Sequence, residues 1–206
     1  MIRGIVAFDL DGTLLRGDTV CEVLAKPLGR LDEMKRFELL ETEADIAQAR
    51  IRMAEWYKGP GIEALRVYLR DARWAPGSQE AIRQLQSCNI VVAIASITWR
   101  FAVGHFAEQL GIEHWLGTDV ADDGEIDHVW GRDKAKWLQE LRSNCGVALE
   151  RTAAVGDSRG DLEMLREAHL SFFVGKKPMP EVPSAIHLPE ADLRVVAERI
   201  VREWTP

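Results

Sequence analysis

Cysteine is scarce in this chain of 206 residues: Cys21, Cys88 and Cys145 are widely separated and odd in number. Neither a disulfide framework nor a Cys-x-x-Cys metal site is indicated, and reduced, mostly buried thiols are expected. An excess of basic charge is missing too. A formal net charge of -7 argues against general affinity for nucleic acid or anionic membranes, and leaves room for a local basic pocket and for small anionic partners. Long apolar runs are also absent. The stretch before the first acid, Ile5 to Phe8, is too short for a signal-peptide core, and no segment approaches the length of a membrane span. A soluble, cytoplasmic protein is therefore expected. Internal repeats and low-complexity segments are not found, and Lys176 to Pro183 reads as a proline-stiffened surface loop. The apolar fraction of 47% is enough for a globular core, either one large domain or a core with a modest insert.

The apolar run Gly4-Ile5-Val6-Ala7-Phe8 ends in Asp9-Leu10-Asp11-Gly12-Thr13, which reads as a buried strand closed by a tight turn. In open α/β sheets, ligands bind beyond the carboxyl ends of the strands, where these acids fall. Side chains two apart on an extended strand share a face, so Asp9 and Asp11 are close if the strand continues. Two close carboxylates favour a divalent cation between them or a proton on one. Taken alone, Asp-Gly is also ordinary turn chemistry.

Further strands are read at Ile90–Ala95, Trp115–Val120, Thr152–Val155 and Ser171–Val174, with helical patterns after Ser96 and Gly156 and in the tail from Leu193 to Trp204. Strands alternating with helices predict an α/β fold with a doubly wound parallel sheet. No convincing strand lies between the first acids and Ile90, a gap far longer than one crossover requires. Apolar stripes fill it: Val20, Val23, Leu24 and Leu28; Leu31, Met34 and Phe37; Ala47, Ile51 and Ala54; Ile62, Leu65 and Leu69. We read residues 16–73 as a helical bundle inserted over the sheet's carboxyl edge, and 1–15 with 74–206 as a Rossmann-like core. A hairpin is expected around Asp122-Asp123-Gly124-Glu125.

The later strand ends carry polar groups suited to phosphate or its metal. Ser96 offers a hydroxyl beside backbone N–H groups at a helix start, although serine there is also an ordinary helix cap. Gly156-Asp157-Ser158-Arg159-Gly160-Asp161 supplies two more acids. Asp161 suits the first turn of a helix; Asp157 has less reason to be there unless it completes a cation site. Lys134 extends from an early helical turn toward the same edge.

The series Asp9-x-Asp11-Gly12-Thr13, Ser96, Lys134 and Gly156-Asp157-x-x-x-Asp161, in this order over nearly the whole chain, resembles the haloacid dehalogenase superfamily of phosphohydrolases. The helical insert resembles its type 1 cap. The run Gly17 to Ala25 and the segment Asp161 to Leu165 are most similar to the phosphoserine phosphatase-like branch. The resemblance implies a phosphomonoester hydrolase for a small phosphorylated metabolite. In it Asp9 is the nucleophile that forms an aspartyl-phosphate, Asp11 the general acid and base, and Ser96 and Lys134 the phosphate-binding groups. It further implies Mg²⁺ held by Asp9, the main-chain carbonyl of Asp11 and Asp157, with Asp161 either joining them or holding Lys134. The second acid favours ester hydrolysis over dehalogenation. Transfer of the phosphoryl group to an acceptor other than water is the nearest alternative.

A phospho-aspartate signalling module also combines acids, a hydroxyl residue and a lysine on a parallel sheet. It needs no helical insert and carries its phosphorylated acid on a middle strand. Substrate contacts of the branch fall on Asp18, where its enzymes have glutamate, and on a cap arginine, Arg50 or Arg52, with Arg52 the residue selected. Ile97-Thr98 replaces the branch's Gly-Gly pair, and Gly160 replaces its usual asparagine. Phosphoserine is thus one candidate substrate among several, and Trp56, Trp99 and Arg100 are further residues that shape a pocket or belong to the core. The oligomeric state is left open.

Overall fold

The computed structural model describes residues 2–121 and 124–204. Its first strand, β1 (Gly4–Phe8), is buried along its whole length. It lies parallel between β4 (Ile90–Trp99) and β7 (Thr152–Gly156). With β5 (His114–Val120), β6 (Ile126–Asp127), β8 (Leu170–Phe173) and β9 (Ile186–His187) the sheet order is β6-β5-β4-β1-β7-β8-β9. The pairings are parallel except for β5 with β6, which are antiparallel. That pairing places a return where the hairpin is expected, although Asp122 and Asp123 lie outside the described residues.

The chain leaves β1 toward β4 on one side and reaches β7 on the other, so the end of β1 is the topological switch point. Parallel strands part there and leave a crevice at their carboxyl ends.

Residues in β1 alternate between two cores, as a pleat with period two requires. Val6 and Phe8 pack with Ile82, Phe106, Val196 and Ile200 on one side of the sheet. Ile5 and Ala7 pack with Leu138, Met164 and Leu165 on the other. The first core is therefore covered by α5 (Ser78–Ser87), α6 (Arg100–Leu110) and α9 (Leu193–Trp204), the second by α7 (Gly131–Asn144) and α8 (Leu162–Glu167). Asp9 continues the odd-numbered side, toward α7 and α8.

Between β1 and the return to the sheet come α1 (Val20–Ala25), α2 (Leu31–Phe37), α3 (Glu43–Lys58) and α4 (Gly61–Tyr68). The fold is a mostly parallel α/β sheet carrying a helical cap after its first strand. Two short strands, β2 (Leu15–Arg16) and β3 (Arg73–Trp74), pair antiparallel where the chain departs and returns. Neither is foreseen from sequence, because two residues carry no readable period.

The apolar face of α3 differs from the stripe read from sequence. Ala49, Met53, Trp56 and Tyr57 are buried, whereas Ile51 is exposed. Both stripes have helical spacing; packing of Trp56 on Phe37, rings 5.6 Å apart and stacked, rotates the helix to bury the larger side chains. Trp56 and Trp99 are core residues, and Arg100 is an exposed partner of Asp119.

Candidate active site

Strand geometry does not persist through the first motif. The strand stops at Phe8, Asp9 stays extended, and Gly12 turns at φ +79°. A Cβ built on Gly12 would lie 2.1 Å from Oδ2 of Asp157, so the position requires glycine on two counts. The turn nevertheless leaves Asp9 and Asp11 on the wall of one cavity of about 590 Å³, together with Ser96, Lys134 and Asp157.

Asp9 is held by the neighbouring strand β7 and by helix α7. Its N–H donates to the carbonyl of Val155 at 2.9 Å, and Lys134 Nζ donates to its Oδ1 at 2.7 Å. Lys134 is only 1% exposed and reaches Asp9 from the first turn of α7. The same ammonium donates to Oδ1 of Asp161, also at 2.7 Å. The other oxygen of Asp161 accepts the N–H groups of Asp157 and Ser158 and the hydroxyl of Ser158. This fully buried acid thus fixes Lys134 and the loop that presents Asp157.

Asp11 is tied to the cap: its Oδ1 accepts the N–H of Val20 at 2.7 Å, at the start of α1. Thr19 precedes it as a cap, exchanging hydrogen bonds with Glu22. The Thr19-x-x-Glu22 spacing of a capping box was visible in the sequence, but its use in orienting Asp11 was not. Thr13 donates to Asp157 at 3.3 Å.

Burial, with Asp161 and Asp157 nearby, raises the pKa of Asp9 well above the usual carboxylate range against the pull of Lys134. Burial also pushes Asp11 up to about 7. Asp157 rises to about 6 for the same reason, with Asp161 adding to it. Four carboxylates face a single buried ammonium in this cluster. Ligand oxygens of Asp9, Asp157 and Asp161 come within 4.8 Å of one another. Hard oxygen donors with an excess of negative charge fit a divalent cation. Asp161 already accepts four hydrogen bonds, which leaves Asp9 and Asp157 as the carboxylates suited to such an ion.

Ser96 lines the cavity but is not at a helix start. It lies inside β4, where the register with β5 shifts between Ala95 and Trp99, and α6 begins only at Arg100. Its oxygen accepts the N–H of Thr98 at 3.3 Å.

The substrate residues proposed from sequence are not brought to the cavity. Asp18 is exposed and paired with Lys26, and does not line the cavity. Arg52 is exposed and bonds Glu33 at 3.3 Å. Arg50 lines the cavity instead and is 4% exposed. The rotation of α3 decides between them, and the stripe read from sequence gave no basis for that choice. Arg50 Nη2 donates to the carbonyls of Ile97 at 2.9 Å and Val129 at 3.1 Å. Its Nη1 meets His128 Nδ1 at 3.1 Å, and the guanidinium lies over Trp130, 4.6 Å from the ring centre. Other cavity residues that the sequence does not assign to a site include Glu38, Met34 and Met53; apolar spacing marks the covered face of a helix and not what that face meets.

Clustered acids at the switch point of a doubly wound sheet make a site suited to a divalent cation. The family model described as haloacid dehalogenase-like hydrolase matches residues 6–166, and the chain belongs to that family. Among relatives, the phosphoserine phosphatase of Methanocaldococcus jannaschii is 26% identical over 96% of this chain and 98% of its own length. That of Streptococcus thermophilus is 26% identical over 96% and 95%. Solved structures share the fold. A phospho-aspartyl intermediate analogue of phosphoserine phosphatase superposes with a TM-score of 0.79 at 23% identity, covering 97% of this chain and 99% of that one. A hydrolase of the family from Salmonella enterica reaches 0.82 at 19% identity, covering 95% and 70%. Among the described residues no helix is long and apolar enough to cross a membrane.

Proposed function

We propose that this protein is a Mg²⁺-dependent phosphomonoesterase for a small phosphorylated metabolite, working through an aspartyl-phosphate on Asp9, with residues 16–73 as its cap. The observation that carries the reading is the Asp9–Lys134–Asp161 chain of 2.7 Å contacts on the wall of a cavity that Asp11 and Asp157 also line.

In this reading a carboxylate oxygen of Asp9 attacks phosphorus as the ester P–O bond breaks. Asp11, held toward the cap by Val20, gives its proton to the departing alkoxide. It then takes a proton from the water that cleaves the acyl-phosphate, so one residue serves both steps. Lys134 fixes the attacking carboxylate and, with the hydroxyl of Ser96, offsets charge on the non-bridging oxygens. The carboxylates of Asp9 and Asp157 and the main-chain carbonyl of Asp11 would hold Mg²⁺, which when bound supplies charge neutralisation for the incoming phosphate.

Phosphate release from para-nitrophenyl phosphate tests it. Mg²⁺-dependent turnover is expected to fall by about a thousandfold or more in Asp9→Asn. Undiminished turnover in that variant refutes the assignment of the nucleophile.

A further inference from the structure

The cap side of the cavity is chemically unlike its floor. Met34, Phe37, Leu40, Ile46, Ala49 and Met53 form much of it. Two charged cap side chains line it, and each is engaged. Glu38 accepts the hydroxyl of Thr19 at 2.8 Å. Arg50 is turned toward the core, with both Nη2 bonds going to the carbonyls of Ile97 and Val129.

That second arrangement matters for what the cavity admits. A guanidinium grips a carboxylate with two parallel donors, and each of its two-donor edges includes an Nη2 hydrogen. With those hydrogens on main-chain carbonyls, Arg50 presents no free two-donor edge. Asp18, the other charged residue expected to meet an amino acid, is out on the surface with Lys26. A carboxylate brought against the methionine and phenylalanine wall would lose its hydration without a partner, which is strongly unfavourable. The same wall rewards an apolar group, within a cavity that measures about 590 Å³ with its acidic floor included.

We propose that the site takes phosphate monoesters of apolar alcohols, whose alkyl or aryl portion fills the cap side of the cavity, in preference to phosphorylated amino acids. The assignment rests on the phosphomonoesterase reading above. It concerns the organic half of the substrate and leaves the reaction at phosphorus unchanged.

The test compares n-hexyl phosphate with phosphoserine as substrates of the full chain with Mg²⁺. Hexyl alkoxide leaves no more readily than that of serine, so a preference for it reports binding. The expected kcat/KM ratio favours hexyl phosphate by about tenfold or more, the effect of roughly 60 Å² of apolar contact. Ile46→Asn, at a partly exposed position, is expected to lower that ratio about fivefold through the KM for hexyl phosphate. Met53→Gln is a second variant with the same expectation. Equal or faster turnover of phosphoserine overturns the proposal, as does a ratio that neither variant moves. If phosphoserine is favoured and Asp9→Asn abolishes turnover, the apolar assignment fails and the phosphomonoesterase reading stands. If no ester is hydrolysed, that reading fails, and calorimetry decides the pocket. Tighter binding of hexylphosphonate than of the phosphonate analogue of phosphoserine supports the apolar wall, and the reverse order overturns it.

Discussion

Replacing Lys134 with methionine removes the one ammonium from the buried acid cluster while keeping an unbranched stem of similar bulk. Lys134 is 1% exposed and contacts Asp9 and Asp161 at 2.7 Å each. Removing one partner of a buried ion pair costs about 3–5 kcal/mol, because the remaining charge stays desolvated. Asp161 keeps three donors from Asp157 and Ser158, and Asp9 can take up a proton, so the lower part of that range applies in mild acid. For a chain of this size ~3 kcal/mol corresponds to a fall in Tm of roughly 6–12 °C.

The pH dependence gives the prediction a second arm. In the parent protein the folded-state pKa of Lys134 is raised by Asp161 and Asp9, which outweigh the effect of burial. Its contribution is complete below the unfolded value of about 10.4 and therefore constant from pH 5 to 8. Asp9, already raised by burial in the parent protein, loses in Lys134→Met the ammonium that lowers it, so the variant sheds more stability than the parent as pH rises through neutrality. Thermal unfolding with a metal chelator, followed by circular dichroism at pH 5 and pH 8, is the assay. The deficit relative to the parent protein should be larger at pH 8. A Tm within about 2 °C of the parent at both pH values would refute the reasoning.

Raised folded-state pKa values at Asp11, about 7, and Asp157, about 6, predict that the metal-free parent protein loses stability as pH climbs from about 4 to about 7. Both groups are partly exposed, which limits the loss to about 2 kcal/mol, and Mg²⁺ should restore more of it at pH 8 than at pH 5 in the same melts. Gly12→Ala places a Cβ 2.1 Å from Asp157 Oδ2 at φ +79°. It is expected to lower stability by about 1–3 kcal/mol and to weaken Mg²⁺ binding in a titration, whereas normal metal affinity would show that the turn relaxes freely. Arg50→Met strands the carbonyl of Val129 and leaves that of Ile97 with the Thr118 hydroxyl alone, and should cost about 1–3 kcal/mol in urea unfolding. Arg52→Met, on an exposed pair, should stay within about 0.5 kcal/mol; equal effects would contradict the observed rotation of α3.

Much of the architecture is legible along the chain because its signals are local. Strands such as Gly4–Phe8 are continuous apolar runs that must be buried on both faces, and each acid beyond one of them inherits its place from that strand. The apolar spacing in 16–73 similarly marks helices, whatever they pack against. Short elements are another matter. Strands β2 and β3 exist because the chain crosses itself at the departure point of the cap, and Ser96 lies within a strand because β4 continues past Ala95 through a register shift. Neither depends on a local pattern.

What the sequence by itself determined is the chemistry available: the acids, the serine and the lysine in a fixed order, each at or near the carboxyl end of a strand or the first turn of a helix. Tertiary structure decided how they meet. Alternation in β1 sends Asp9 toward α7, where Lys134 lies between it and Asp161, and packing of Trp56 on Phe37 turns Arg50 inward and Arg52 out. The first follows from a backbone period that the sequence carries. The second follows from which side chains fill the space beneath a helix, a choice between equally periodic faces that only contact with the rest of the molecule makes.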